Sequence, residues 1–277
     1  MVALRHFSKG WIVPPRVVLD PPPCDTVEEV HFASEDGTPL YGWLLRAGED
    51  DPALLLCHGY QRSIEETFGL AFDLREHGYN VMVFDFRGCG RSGGRYTTIG
   101  HFEPLDARAA LHWLVRRTEG RVPVGMLGIS MGGSVAFAVM AGCPEVRALV
   151  TDSAFATLMD AVQQRFKPLR FPTRQLYHLS MRTAERMCGG RVHQVRPVDA
   201  ARRIGDRPVL LIHGTADTIV PYEQALILSA ALTGPHELWT LEGVGHAAAR
   251  FCHRKEYLER VTSFFARHLR GAMAAAM

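Results

Sequence analysis

Residues 122–144 read VPVGMLGISMGGSVAFAVMAGCP and include no charged side chain. A stretch of this length would suit a membrane span. Pro123, the glycines and the two serines favour another interpretation, because proline and glycine disfavour a continuous helix. We therefore predict a buried strand, a sharp turn and a buried helix, with no transmembrane segment.

The predicted turn reads Gly128-Ile129-Ser130-Met131-Gly132, a GxSxG pattern between the strand 122–127 and the helix that follows it. In that context the pattern is typical of a nucleophile elbow, which exposes a serine on a strained turn. Neighbours two residues away come too close to carry a Cβ atom, and Gly128 and Gly132 meet this requirement. An ordinary glycine-rich turn is the alternative, but the strand–turn–helix context favours Ser130 as a nucleophile.

Apolar runs alternate with amphipathic runs on both sides of this turn. An Asp36-Gly37 turn predicts an antiparallel hairpin near the N-terminus. Ser63 with Glu66 three residues later is a capping-box pattern and predicts the start of the first helix of the alternation. The alternation predicts an α/β fold with a mostly parallel, doubly wound sheet, which binds ligands at the carboxyl ends of its strands. The predicted strands are 27–34, 40–45, 53–57, 81–84, 122–127, 148–150, 209–212 and 238–241, and the helices are 63–77, 102–117, 131–141, 221–232 and 254–268.

A serine hydroxyl needs a base to take its proton, and the base needs an acid that fixes its tautomer. In enzymes with this kind of elbow, the acid and then the histidine follow the serine along the chain. Asp217 lies in the loop after the strand 209–212, and His246 lies in the loop after the strand 238–241. We predict that Asp217 is the acid and His246 the base.

Two other residues compete for these roles. His213 is interpreted as structural because it lies at the strand end just before the acid. Asp152, which follows the strand 148–150, is the alternative acid.

The reaction would also create an oxyanion, which needs preorganised donors such as backbone N–H groups. Met131, directly after the nucleophile, supplies one predicted donor. The loop after the strand 53–57 reads His58-Gly59-Tyr60, and the N–H of Tyr60 is the second predicted donor. The alternative is that His58 and Gly59 only close the loop.

Between residues 153 and 206 the alternation lapses, which predicts an insertion that forms a lid over the site. The insertion carries an excess of six positive charges, against +2 for the whole chain. A lid that binds a free amino group would need carboxylates, so this charge disfavours an aminopeptidase and is compatible with neutral or anionic acyl substrates. An arginine-rich coding bias explains the same excess. The apolar residues of the insertion are expected to line an acyl pocket or, equally, to form the packing face of a lid helix. They are Phe155, Leu158, Met159, Val162, Phe166, Leu169 and Phe171.

Composition limits the other possibilities. With 277 residues and 47% hydrophobic content, the chain can bury one large core, so we expect one domain over 27–277 after a proline-rich strap over 1–26. The strap is expected to lie extended on the surface, with a polyproline II ligand as the alternative. No clean apolar segment follows the first basic residues, so we expect no signal peptide. A net charge of +2 makes nucleic acid an unexpected partner.

The cysteines lie far apart and form no CxxC pair. This spacing suggests neither a disulfide framework nor a metal site, and reduced thiols fit a cytoplasmic location. The six are Cys24, Cys57, Cys89, Cys143, Cys188 and Cys252.

Several short motifs from about residue 27 to the C-terminus resemble the successive signatures of the α/β-hydrolase superfamily. Within it, the chain is most similar to a functionally mixed group of esterases and serine-aminopeptidase-like proteins. The resemblance implies a triad of Ser130, Asp217 and His246 and a structural role for the loop 85–93, which contains Asp85, Arg87 and Arg91. The motifs read HGY at 58–60, DFRGCGRSG at 85–93, GISMGG at 128–133, TDS at 151–153, HGTAD at 213–217 and GH at 245–246.

The sequence therefore predicts a serine hydrolase that cleaves a carboxylic ester or thioester through an acyl-serine intermediate, with a small-molecule acyl substrate and water as its partners. No cofactor or metal is expected. The alternatives are a serine peptidase of small peptides and a non-catalytic ligand-binding protein on the same fold. A serine at position 130 disfavours dehalogenase and epoxide-hydrolase chemistry, which uses an aspartate nucleophile. Acyl transfer to another acceptor and perhydrolysis stay open, because both would use the same triad.

Overall fold

The computed structural model describes residues 2–22, 25–166 and 173–270. In this part of the chain eight strands form one sheet, in the order β1-β2-β4-β3-β5-β6-β7-β8. β1 pairs with β2 and β2 with β4 in antiparallel fashion, whereas all other neighbours are parallel. The predicted sheet, with its N-terminal hairpin, is confirmed. The strands are β1 (Val27–Ala33), β2 (Pro39–Leu45), β3 (Ala53–Cys57), β4 (Asn80–Phe84), β5 (Val124–Ile129), β6 (Val146–Asp152), β7 (Val209–Gly214) and β8 (His236–Leu241).

Helices cover both faces of the sheet, because alternate residues of the central strands point to opposite sides. In β3, Leu55 faces the core that lies under the helices Glu103–Arg117 and Met131–Gly142. Leu54 and Leu56 face the core on the other side, under the helices Ile64–Glu76 and Arg254–Phe265. The helices are α1 (Val2–Ile12), α2 (Ile64–Glu76), α3 (Glu103–Arg117), α4 (Met131–Gly142), α5 (Leu158–Phe166), α6 (Thr173–Cys188), α7 (Pro197–Ala201), α8 (Glu223–Ala231), α9 (Ala249–Cys252) and α10 (Arg254–Phe265).

The uncharged stretch 122–144 forms β5, the turn at Ser130 and α4, as predicted. All of β5 and most of α4 are buried inside the protein. None of the helices within residues 2–22, 25–166 and 173–270 combines the length and apolar composition that crossing a bilayer requires.

The region between β6 and β7 contains α5, α6, a short 3₁₀ turn (Val192–Gln194) and α7 in place of the regular alternation. The described part of the chain therefore includes a helical insertion at the predicted position.

The N-terminal segment differs from the expected extended strap. Residues 2–12 are helical, and only the segment 13–22 lacks regular structure. The helix ends before Pro14 and Pro15, which have no backbone N–H and cannot continue the helical hydrogen bonds. Ile12, at the end of α1, is 1% exposed, so this end of the helix is packed into the protein. Pro23 and Cys24 lie outside the described residues.

Candidate active site

Ser130 lies at the turn between β5 and α4 with φ 53° and ψ −116°, a strained conformation for a residue with a side chain. A Cβ added to Gly128 would lie 2.4 Å from the backbone of Gly132, and one added to Gly132 would lie 2.2 Å from the carbonyl oxygen of Cys57. Both contacts are far inside van der Waals distance. The backbone therefore leaves no room for a side chain at Gly128 or Gly132, as the GxSxG pattern predicted.

The structure brings together the three residues predicted as nucleophile, base and acid. The Nε2 atom of His246 lies 2.9 Å from Oγ of Ser130, and its Nδ1 atom lies 2.6 Å from Oδ2 of Asp217. Because a carboxylate only accepts, Nδ1–H donates to Asp217, which leaves Nε2 to accept the Ser130 hydroxyl proton. The three residues follow β5, β7 and β8, whose carboxyl ends lie on the same edge of the parallel sheet.

Asp217 is held as a carboxylate. Its side chain is buried, but its Oδ1 atom accepts N–H bonds from Ile219 and Val220 at 2.9 and 2.8 Å. Burial alone would raise the pKa of Asp217, yet the hydrogen bonds from His213, His246 and the Val220 backbone outweigh it and hold this pKa well below its usual range. Asp217 can therefore orient and stabilise the His246 imidazolium.

The two alternative residues, His213 and Asp152, lie near the three side chains of Ser130, His246 and Asp217. Nε2–H of His213 donates to the carbonyl of Val220 at 2.8 Å and is 3.3 Å from Oδ2 of Asp217, so His213 supports the Asp217 loop from beneath. The Asp152 side chain accepts from Ser153 Oγ at 3.0 Å, and burial raises the pKa of Asp152. Both nitrogens of His246 are already paired with Ser130 and Asp217, so Asp152 is not its partner.

Ser153 was not singled out from the sequence as a functional residue, although it belongs to the TDS motif. Its Oγ accepts the N–H of Ala247 at 2.9 Å, and Ala247 has a positive φ of 49°. Ser153 therefore fixes the turn that follows His246.

The two predicted oxyanion donors lie at the same cavity as Ser130. Met131 is the first residue of α4, where N–H groups have no partner within the helix, and Tyr60 follows the end of β3. Both residues line this cavity. Gly59, which precedes Tyr60, is also held in place, because Oε2 of Glu66 accepts the N–H of Gly59 at 2.5 Å.

The predicted capping box at the start of α2 is therefore incomplete. Oγ of Ser63 accepts the N–H of Glu65, but the Glu66 side chain binds Gly59 and does not return to Ser63.

The loop 85–93 is held by its own polar side chains. Asp85 accepts from the N–H groups of Ile64 and Arg91, both at 2.8 Å, and Arg87 pairs with Asp106 at 2.6 Å. Arg91 pairs with Asp20 in the N-terminal segment. Asp85, Arg87 and Arg91 are absent from the described lining of the cavity at Ser130.

The cavity at Ser130 has a volume of about 620 Å³, within the range of small-molecule sites. Of the predicted acyl-pocket residues, Phe155, Leu158 and Val162 line it, and Met159 is not among the described lining residues. Leu169, Phe171 and the side chain of Phe166 lie outside the described part of the chain. The cavity also has lining residues that the sequence did not predict: His6, Gly10, Trp11, Gln61, Ile99, Ala161, Met181, Ile219 and Val220.

Within the described ranges, no group of three or more His, Cys, Asp or Glu is arranged to hold a metal ion. The arrangement of Ser130, His246 and nearby backbone N–H groups is suited to proton transfer at His246, nucleophilic attack by Ser130 and hydrogen bonding to an oxyanion.

Comparison with known proteins identifies the family. The profile of the family described as "Serine aminopeptidase, S33" matches residues 48–187, and that described as "TAP-like protein" matches residues 176–267. An uncharacterized protein of Mycobacterium tuberculosis is 30% identical over 266 residues, which cover 94% of this chain and 85% of the relative. The chain belongs to the serine aminopeptidase S33 family of α/β-hydrolases.

Solved structures agree with this assignment. The esterase Pf2001 of Pyrococcus furiosus has 30% sequence identity and a TM-score of 0.78, over 94% of this chain and 98% of the esterase. The α/β-hydrolase GrgF of Penicillium has a TM-score of 0.69 over 88% of this chain and 99% of its own, and at 21% identity it is similar in fold alone. Membership of this α/β-hydrolase family supports a hydrolase activity for the chain.

Proposed function

We propose that this α/β-hydrolase cleaves uncharged carboxylic esters or thioesters through an acyl intermediate on Ser130. The observation that carries the proposal is the hydrogen-bonded row from Ser130 through His246 to Asp217, with distances of 2.9 and 2.6 Å. Nucleophile and base are within hydrogen-bonding reach, and a carboxylate orients the base, which is the arrangement that activates a serine hydroxyl.

In the proposed reaction, Oγ of Ser130 attacks the acyl carbon while its proton passes to Nε2 of His246. The N–H groups of Met131 and Tyr60 stabilise the resulting oxyanion. His246 then returns the proton to the departing alkoxide or thiolate, which leaves an acyl group on Ser130. A water molecule, deprotonated by His246, repeats the attack and releases the acid.

The described wall of the cavity favours an uncharged acyl group. It is mostly apolar and includes Ile99, Phe155, Leu158 and Val162, with no carboxylate and no arginine or lysine among its described residues. A peptide's free ammonium group would find no anionic partner among them, which disfavours aminopeptidase action despite the family's description. The esterase Pf2001, similar over nearly the whole chain, favours ester chemistry. We also propose that residues 27–277 form the hydrolase domain and that the insertion between about 153 and 206 acts as its lid.

A fluorophosphonate probe tests the nucleophile, and a panel of substrates tests the reaction. We expect the probe to label Ser130, and Ser130→Ala to abolish labelling and to lower ester hydrolysis about 10³-fold or more while the protein stays folded. p-Nitrophenyl acyl esters should be cleaved much faster than aminoacyl p-nitroanilides. Preference for the anilides would indicate a peptidase, and an unlabelled Ser130 without turnover would indicate a ligand-binding protein.

A further inference from the structure

Helix α1 meets the catalytic site at its C-terminal end. In a helix, the carbonyl of residue i accepts from the N–H of residue i+4. For Gly10 and Trp11 those donors would be residues 14 and 15, which are both proline and have no N–H. Pro14 and Pro15 thus offer no N–H to two neighbouring carbonyls of α1, those of Gly10 and Trp11.

Two side chains of the predicted oxyanion loop take up these carbonyls. The hydroxyl of Tyr60 donates to the carbonyl of Trp11, and Nε2 of Gln61 donates to the carbonyl of Gly10 at 2.8 Å. Gln61 itself has a positive φ of 57°, so the loop is held in an unusual conformation at this point. The backbone N–H proposed to stabilise the oxyanion therefore belongs to a residue whose side chain is bonded to α1.

The helix is fixed in place by contacts elsewhere. α1 packs against α6, and the N–H of Thr97 donates to the carbonyl of Ile12 at 2.9 Å. Just after the helix, the guanidinium of Arg16 donates to the carbonyls of Gly90 and Ser92 at 3.0 and 2.7 Å. These contacts join the N-terminal segment to the body of the protein on both sides of Pro14 and Pro15.

α1 also forms part of the cavity wall. Gly10 and Trp11 line the cavity together with Ser130, and Met181 of α6 lines it as well. Trp11 is partly buried and packs against the core on the side of the sheet covered by α3 and α4. A Cβ added to Gly10 would meet no atom within 4 Å, so there is space at this point of the helix.

We propose that α1 is a specificity element of the active site: Trp11 limits the length of the acyl group, and the bonds from Tyr60 and Gln61 to α1 position the oxyanion loop. The inference rests on the proposed esterase function. Trp11 is a specificity-determining residue and Tyr60 a positioning residue, in addition to the role proposed for its N–H.

The first test uses p-nitrophenyl esters from acetate to laurate on the full chain. Trp11→Ala should raise kcat/KM for the longest esters relative to butyrate about fivefold, because apolar space is gained. Gly10→Leu should shift the preference about fivefold towards short esters. The matched controls are Trp113→Ala, which truncates another partly buried tryptophan of the same core, and Gly69→Leu, at an open exposed position of α2. Both controls should keep the wild-type profile.

The two substitutions act in opposite directions, so one of them tests the proposal even if the other does not fold. A profile in the folded Trp11→Ala or Gly10→Leu protein that matches its control would overturn the role of α1 in specificity. If the wild-type protein cleaves no ester and Ser130 takes no fluorophosphonate, the proposed function itself is wrong. If the wild-type protein cleaves esters but the variants keep its chain-length profile, only the role of α1 in specificity is wrong.

The second test isolates positioning. Tyr60→Phe combined with Gln61→Ala keeps the Tyr60 N–H and ring but removes both bonds to α1. We expect kcat to fall about tenfold for all chain lengths with little change in KM, because the loss concerns transition-state stabilisation. A boronic acid that forms a tetrahedral adduct with Ser130 should bind about tenfold more weakly. Tyr222→Phe, whose hydroxyl pairs with Thr240 on the exposed surface, is the control. Unchanged kcat and unchanged boronic acid affinity in the folded double variant would overturn the positioning role.

Discussion

Ser130 keeps its strained backbone because Gly128, Gly132 and β3 approach one another closely around it. Gly132→Ala would place a methyl group 2.2 Å from the carbonyl oxygen of Cys57, where backbone atoms on both sides must move. We expect a loss of about 2–4 kcal/mol in the free energy of unfolding, measured by urea denaturation. Gly142→Ala, in the same helix with an open Cβ position, should be neutral or slightly stabilising. Equal stability of the two variants would contradict the close approach.

Asp217 offers a test of charge without loss of shape. Asp217→Asn keeps the size of the side chain but removes the anion that selects the Nδ1–H tautomer of His246. We expect kcat to fall about 10³- to 10⁴-fold, measured by stopped-time ester hydrolysis at neutral pH. A fall of less than tenfold in Asp217→Asn would contradict this role.

At the scale of the elements, α2 supports the oxyanion loop through Glu66. Its side chain is 10% exposed and accepts the Gly59 N–H, while Arg250 lies 3.4 Å from its other oxygen. Glu66→Ala leaves that N–H unpaired next to Tyr60. We expect kcat to fall about tenfold with little change in KM, from steady-state kinetics. Glu65→Ala, one residue away on the exposed side of the helix, should behave as wild type, and identical kinetics for the two variants would argue against the brace.

The central strands were recognised as strands because they are buried. All residues of β3, β4 and β5 are buried, so they appear as continuous apolar runs. β8 is an edge strand whose first five residues are partly or fully exposed, and the predicted strand 238–241 lacks its first two residues. The ends of the buried strand β5, predicted as 122–127 and observed as Val124–Ile129, are also displaced by two residues. Local patterns therefore identify an element by its burial but do not fix where it begins and ends.

The residues of the candidate site also differ in how far the sequence predicted them. Ser130, Asp217 and His246 were predicted as a candidate triad because each follows a predicted strand, and parallel strand order is enough to place them on one edge of the sheet. Trp11 and Gly10 were missed because nothing in a local pattern connects an N-terminal helix with a loop some fifty residues later. The signal available was Pro14-Pro15, which was interpreted as an extended strap although two prolines also offer no N–H to the last carbonyls of a preceding helix.

At the scale of the whole molecule, the hairpin and α3 are joined by a charge cluster centred on Arg87 of the loop 85–93. Arg87 donates to Asp106, whose side chain is fully buried, and to Asp36 at 2.7 Å. Arg87→Met would leave the Asp106 carboxylate buried without its cation. We expect a loss of about 3–5 kcal/mol in unfolding free energy and a fall in Tm of about 10 °C at pH 7. Arg108→Met, which breaks an exposed pair with Glu35, should cost less than about 1 kcal/mol.

The same cluster makes part of the stability of the fold sensitive to acid. Burial opposes the charge of Asp36, but hydrogen bonds from Arg87 and Thr38 outweigh it and lower the pKa of Asp36 to about 2. A carboxyl whose pKa is lower in the folded protein than in the unfolded chain stabilises the fold above the unfolded pKa, near 4, and this stabilisation is lost as the pH falls through the folded value. Arg87→Met removes the main cause of the shift, so its Tm should fall less steeply between about pH 4 and pH 2 than that of wild type. Parallel Tm curves for the two proteins over this range would show that Asp36 gains nothing from Arg87.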